Sequence, residues 1–123
     1  MILQNHLYKT ISVTQTEDNQ LIAAIALNLE NIIFKAHFPE LPVVPGACLV
    51  QISKELISNT INQKINITSF KNLKFLKTIN PVEFPNLICT FSIQEKEAEI
   101  LACITYSCNN FVFCKLDYFF TKC

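Results

Sequence analysis

The chain has 123 residues, half of them hydrophobic and 16% charged, with ten lysines and no arginine balanced by ten acidic residues. That size suits one domain with a real core, and a balanced charge without a basic patch gives no sign of nucleic-acid binding. The apolar runs are too short to span a bilayer. The first residues lack the basic and long apolar regions of a signal peptide, so the expectation is a cytoplasmic protein with no membrane association. So apolar a composition also implies surface buried against another chain.

The alternation of Leu7, Ile11 and Val13 with polar residues predicts a strand over 7–16. A polar turn at 17–20 and a second strand over 21–29 complete a hairpin. Ile32, Ile33 and Phe34 form a short apolar anchor. Pro39, Pro42 and Pro45 then recur at every third position. Each fixes its own φ and pushes the preceding residue towards extended geometry, so 38–45 is a stiff extended arm. It joins His37 to a helix start at Gly46, the only glycine in the chain. A helix N-terminus presents unpaired N–H groups and partial positive charge. A histidine base plus a backbone oxyanion site is the minimum equipment for chemistry on a carbonyl compound.

Helical spacing of Leu49, Ile52, Leu56 and Ile57 predicts a helix over 45–62. At about 16 residues it is roughly 24 Å long, enough to be wrapped by a sheet. Gln51, Ser53, Lys54, Glu55, Ser58 and Asn59 fall on its opposite side, which reads as a solvated face. The remainder reads as strands over 67–79, 87–93, 97–106 and 111–121, with a break at 80–86 and a hairpin turn at 107–110. On that turn Cys103 and Cys114 face each other. The six cysteines contain no C-x-x-C pair, so they read as reduced, mostly buried thiols rather than a metal site or disulfide framework. Two strands, one helix and four strands make a single α+β domain over 1–123.

The string His37-Phe38-Pro39-x-x-Pro42-Val43-Val44-Pro45-Gly46, the stretch from Asn72 to Pro81 and this layout resemble the hotdog-fold 3-hydroxyacyl-[acyl-carrier-protein] dehydratases. The resemblance implies an antiparallel sheet of about six strands wrapped around the central helix, and subunits paired edge to edge as a homodimer or with a paralogue. It implies His37 as the base that takes the α-proton of a 3-hydroxyacyl thioester, and the Gly46 N–H as the group that polarises the thioester carbonyl. Phe38, Pro45 and Ala47 would line the substrate site. The partner would be an acyl carrier protein presenting its chain on phosphopantetheine; no cofactor or metal is implied.

One position departs from the family's pattern. Gln51 stands where the family carries the Glu or Asp that protonates the leaving hydroxyl, and Glu55 stands where it commonly carries Gln. An amide has no proton to give near neutral pH, and general acid catalysis is worth ~10²–10⁴-fold. Three readings stay open: a dehydratase in which Gln51 orients the hydroxyl or Glu55 replaces the acid; a subunit paired with an acid-bearing paralogue, or a binder of acyl thioesters; and a thioesterase of the same fold.

Overall fold

The computed structural model describes residues 2–36 and 42–123. Its elements are β1 (Tyr8–Gln15), β2 (Leu21–Leu27), α1 (Ile32–Ala36), α2 (Gly46–Ile61), β3 (Ile65–Phe75), β4 (Asn86–Lys96), β5 (Glu99–Cys108) and β6 (Phe111–Lys122). The strands form one six-stranded sheet in the order β1-β2-β4-β5-β6-β3. All five pairings are antiparallel. The sheet wraps α2, which is the hotdog arrangement. Among the described residues no helix is long and apolar enough to cross a membrane.

Period-two alternation explains the concave face of the sheet. Ala23 and Ile25 on β2, Leu87, Cys89 and Phe91 on β4, Ile104 and Tyr106 on β5, and Leu116, Tyr118 and Phe120 on β6 are all buried. They pack against Leu49, Ile52, Leu56 and Ile57 of α2, the stripe that the helical spacing predicts. The helix ends at Asn62, whose φ of 56° puts it in the left-handed region and whose N–H donates to the Ser58 carbonyl.

Two tyrosines fix how α2 sits on the sheet. The Tyr106 hydroxyl donates to the Leu49 carbonyl at 2.6 Å. The Ser53 hydroxyl donates to the Val50 carbonyl at 2.7 Å and, with its proton so placed, accepts from the Tyr118 hydroxyl at 2.8 Å. A buried hydroxyl without a partner is costly, so these contacts select one rotation of the helix about its axis.

Several sequence expectations need correction. The 32–34 anchor is the short helix α1, whose start is held by the Asn31 side chain accepting the Ile33 N–H at 2.9 Å. The strand expected over 67–79 runs from Ile65 to Phe75. It stops there because the Leu76 and Lys77 N–H groups both turn to the Phe113 carbonyl, at 2.8 and 3.1 Å. The last hairpin turns on Asn109, with φ 54°, and Asn110, so Cys108 pairs with Phe111. A bulge at Tyr106/Ser107 shifts the register, and Cys103 lies opposite Asp117 while Cys114 lies opposite Tyr106. The two thiols therefore sit on opposite faces and cannot meet. All six cysteines are free.

Burial raises the Tyr106, Tyr118 and Tyr8 hydroxyls above the usual phenol range, and pushes the Cys89 thiol up to about 12 and Cys114 up to about 11. A group whose folded pKa is raised adds stability that is complete below its unfolded pKa and is lost as pH climbs beyond it. The melting temperature should therefore hold to about pH 8 and fall steadily above it, since unfolded thiols begin to ionise there and phenols follow. Tyr106→Phe should lose about 1 kcal/mol at neutral pH with its hydrogen bond and show a shallower alkaline decline. Thermal melts across pH measure both.

Candidate functional site

The first turn of α2 is built to leave its N–H groups available. Pro45 precedes it with φ −61° and ψ 143°, the extended geometry that proline favours before a helix. Helical bonding begins with the Cys48 N–H, which donates to the Pro45 carbonyl at 2.9 Å. Among the described residues no side chain caps the turn, and it contains no acidic residue. The positive end of the helix dipole is thus not neutralised by its own sequence.

This end opens on a cleft of about 520 Å³, with residues 43–46 and Leu49 on one wall and residues 75–79 on the other. The Val44 N–H donates to the Ile79 carbonyl at 2.9 Å and ties the walls together. The Phe75 ring lies against Gly46: a Cβ there would stand 3.0 Å from two ring carbons. The lone glycine is therefore favoured by close approach of a side chain, not by a left-handed backbone. Lys77 lines the same cleft, with its ammonium 3.9 Å from the centre of the Phe111 ring.

The expected site residues divide as follows. Pro45 and Gly46 are on the cleft wall, whereas Ala47 is exposed and is not part of that wall. His37 and Phe38 lie outside the described residues. Cys48, in the same first turn, is buried, and burial pushes its thiol up; a reactive cysteine needs the opposite shift.

Gln51 and Glu55 form one unit. The Gln51 amide donates from Nε2 to Glu55 Oε2 at 2.8 Å. Glu55 was expected on a solvated face and is instead only 9% exposed. Its Oε2 also accepts the Leu3 N–H at 2.8 Å, and its Oε1 accepts the Gln4 N–H at 2.8 Å and the Tyr8 hydroxyl at 3.0 Å. Each oxygen has two donors, which is the satisfaction a buried carboxylate needs. Tyr8 in turn is raised by burial and then by the Glu55 charge. The segment carrying these donors is a tight turn, with the Leu7 N–H on the Leu3 carbonyl at 2.7 Å. The His6 carbonyl at its apex accepts from the Asn28 and Asn31 amides at 2.8 and 3.1 Å. Sequence reading missed this brace, because its donors sit some fifty positions from Glu55.

The family described as ApeI-like, ApeI dehydratase, matches residues 13–113. The chain belongs to the ApeI-like dehydratase family. Its fold is close to a solved dehydratase heterocomplex, ApeI:P from Xenorhabdus doucetiae, with a TM-score of 0.75 and 17% identity over 90% of this chain and 95% of that one. It is also similar to an uncharacterized protein of Erwinia carotovora subsp. atroseptica (TM-score 0.65, 16% identity, 92% of each chain). A third similar structure is an uncharacterized protein of Pyrococcus horikoshii (TM-score 0.64, 12% identity, 94% of this chain and 82% of that one). At these identities the likeness is one of fold. No protein of curated function matches the sequence.

The contact between Gln51 and Glu55 predicts what a carboxyl group at position 51 would do. Gln51→Glu places two carboxyl groups in hydrogen-bond contact, and such a pair retains a proton to higher pH. Its raised folded pKa adds stability at low pH that is lost as pH rises through it. The variant should match the parent in thermal stability near pH 4 and fall behind it by pH 8; equal curves at both would contradict the contact.

Proposed function

We propose that this chain supplies the base-bearing half of a 3-hydroxyacyl thioester dehydratase, working on chains held by an acyl carrier protein and paired with a subunit that supplies the acid. The observation that carries the reading is the state of α2. The position that the resemblance gives to the acid holds Gln51, and the helix's one carboxylate, Glu55, has both oxygens engaged by donors of its own chain. A proton for the leaving hydroxyl must then come from elsewhere.

In this reading the proton on C2 of the substrate passes to the His37 imidazole. Negative charge gathers on the thioester oxygen and is met by the Gly46 N–H at the positive end of α2. The C3–oxygen bond breaks as the partner's acid gives a proton to the hydroxyl, and enoyl thioester and water leave. The 43–46 and 75–79 walls hold the acyl chain near the thioester, with Pro45 among them. Phe38 and Ala47 are assigned to the approach from the carrier arm. Gln51 occupies the acid's place in the second site of the pair, which leaves one productive site per heterodimer. The ApeI:P structure from Xenorhabdus doucetiae is a dehydratase heterocomplex, which supports a two-chain arrangement.

The test is to co-express the chain with a hotdog paralogue that has Glu or Asp at the position of Gln51, supply a 3-hydroxyacyl carrier-protein thioester and follow product by mass spectrometry. Enoyl thioester should form with the pair, fall by at least about 10²-fold without the partner, and fall similarly with His37→Ala. Full turnover in His37→Ala would exclude His37 as the base. Release of the free 3-hydroxy acid would make the protein a thioesterase instead.

A further inference from the structure

In the paired-subunit reading the base is residue 37, which follows α1 directly in the chain. Whatever holds α1 therefore bears on the base. α1 runs only from Ile32 to Ala36, and so short a helix is not stable by its own hydrogen bonds. Of the side chains described in it, Phe34 is buried, Ile33 is half-buried and Ile32 is 75% exposed. One buried anchor fixes where the helix sits but not how it turns about that anchor. The start of the helix must supply the rest.

That start is tied to the N-terminal turn. Asn31 Oδ1 accepts the Ile33 N–H at 2.9 Å, and the Asn31 carbonyl accepts the Phe34 N–H at 3.1 Å. The same side chain donates from Nδ2 to the His6 carbonyl at 3.1 Å. A side-chain amide has one accepting end and one donating end, so holding the donor at His6 aims the acceptor at Ile33. Asn28 repeats the device. Its Oδ1 accepts the Glu30 N–H at 3.1 Å, and its Nδ2 donates to the His6 carbonyl at 2.8 Å. The far end of the turn, the Leu3 and Gln4 N–H groups, is held by the Glu55 carboxylate. A path of hydrogen bonds thus runs from the middle of α2, through the turn, to the cap of α1.

We propose that Glu55 is a positioning residue: through the N-terminal turn and the Asn28 and Asn31 amides it sets the orientation of α1, and with it the placement of the base. The catalytic consequence rests on the paired-subunit reading, whereas the orientation of α1 is measured without turnover.

Two variants cut the path at opposite ends. Glu55→Gln leaves one accepting oxygen for two backbone donors, so one of them is released. Asn28→Asp/Asn31→Asp keeps both capping oxygens and removes both donors to His6. Neither asparagine is buried, so this second variant guards against misfolding caused by the change at buried Glu55. Backbone relaxation by NMR reads the order of residues 32–36. Order parameters there should fall from about 0.85 to below about 0.6 in each variant, while those of α2 stay in the rigid range. With the acid-bearing paralogue as partner, kcat should fall at least about tenfold in each, because a small misplacement of a reacting group is costly, and KM should stay within about twofold. The combined variant should be no slower than the slower single one, since both changes break one path. A rigid α1 in either variant would overturn the proposal; in Asn28→Asp/Asn31→Asp it would mean that the caps alone suffice. Losses in kcat that multiply on combination would also overturn it. If the wild-type pair does not turn over, the paired-subunit reading fails, and loss of order in α1 still upholds the positioning role of Glu55 while its retention still overturns it.

Discussion

The buried carboxylate of Glu55 is the constraint on which the rest of the site depends. Four donors converge on it: two backbone N–H groups of the N-terminal turn, the Tyr8 hydroxyl and the Gln51 amide. Hydrogen bonds to a charged group contribute about 1.5–3 kcal/mol each, and losing a partner strands a buried polar group. The arrangement therefore locks the turn onto α2. It also decides the chemistry of position 51. An acid there would share a site with Glu55 and compete for its donors, so the amide at 51 and the carboxylate at 55 are one choice, not two. The order Gln-x-x-x-Glu is the signature of a helix whose carboxylate has been given to structure.

The other constraints act on the start of the same helix. Tyr106 and Tyr118, through Ser53, hold the carbonyls of Leu49 and Val50 and so set how α2 is rotated on the sheet. That rotation places Gly46 against Phe75, at the head of a cleft closed behind by the Val44–Ile79 bond. The result is an uncapped positive helix end facing an apolar cleft, which suits a carbonyl oxygen gaining charge. The N-terminal turn spans both halves: Glu55 holds it to α2, and the His6 carbonyl holds it to the Asn28 and Asn31 amides just before α1. α1 leads directly to His37. α1 and α2 are thus both fastened to the same N-terminal turn.

Local pattern made much of this legible. The α2 stripe of Leu49, Ile52, Leu56 and Ile57 points at the sheet as its spacing requires, and the expected 45–62 helix differs from Gly46–Ile61 only at its ends. The proline-glycine string gave the family. What failed was long-range. Ser53 and Glu55 looked solvated because their partners, Tyr118 and residues 3–8, are remote in sequence. Cys103 and Cys114 were misplaced because the turn is only Asn109 and Asn110, which moves the register by two, and a bulge at Tyr106/Ser107 moves it by one more and exchanges faces. The strand over 67–79 was cut short by the carbonyl of Phe113, which lies 37 residues beyond Leu76 in the chain and which no periodicity announces.

The most direct test of the account separates proton removal from water loss. The chain is paired with the acid-bearing paralogue whose acid has been replaced by an amide, and a 3-hydroxyacyl thioester is incubated with the pair in deuterated water. NMR and mass spectrometry then follow C2. The account predicts deuterium entering C2, dependent on His37 and with the 3-hydroxyl retained, because base and oxyanion site remain while the acid is gone. Enoyl product formed at an undiminished rate would contradict it, since the acid would then reside in this chain; so would the absence of exchange, since His37 would then not be the base.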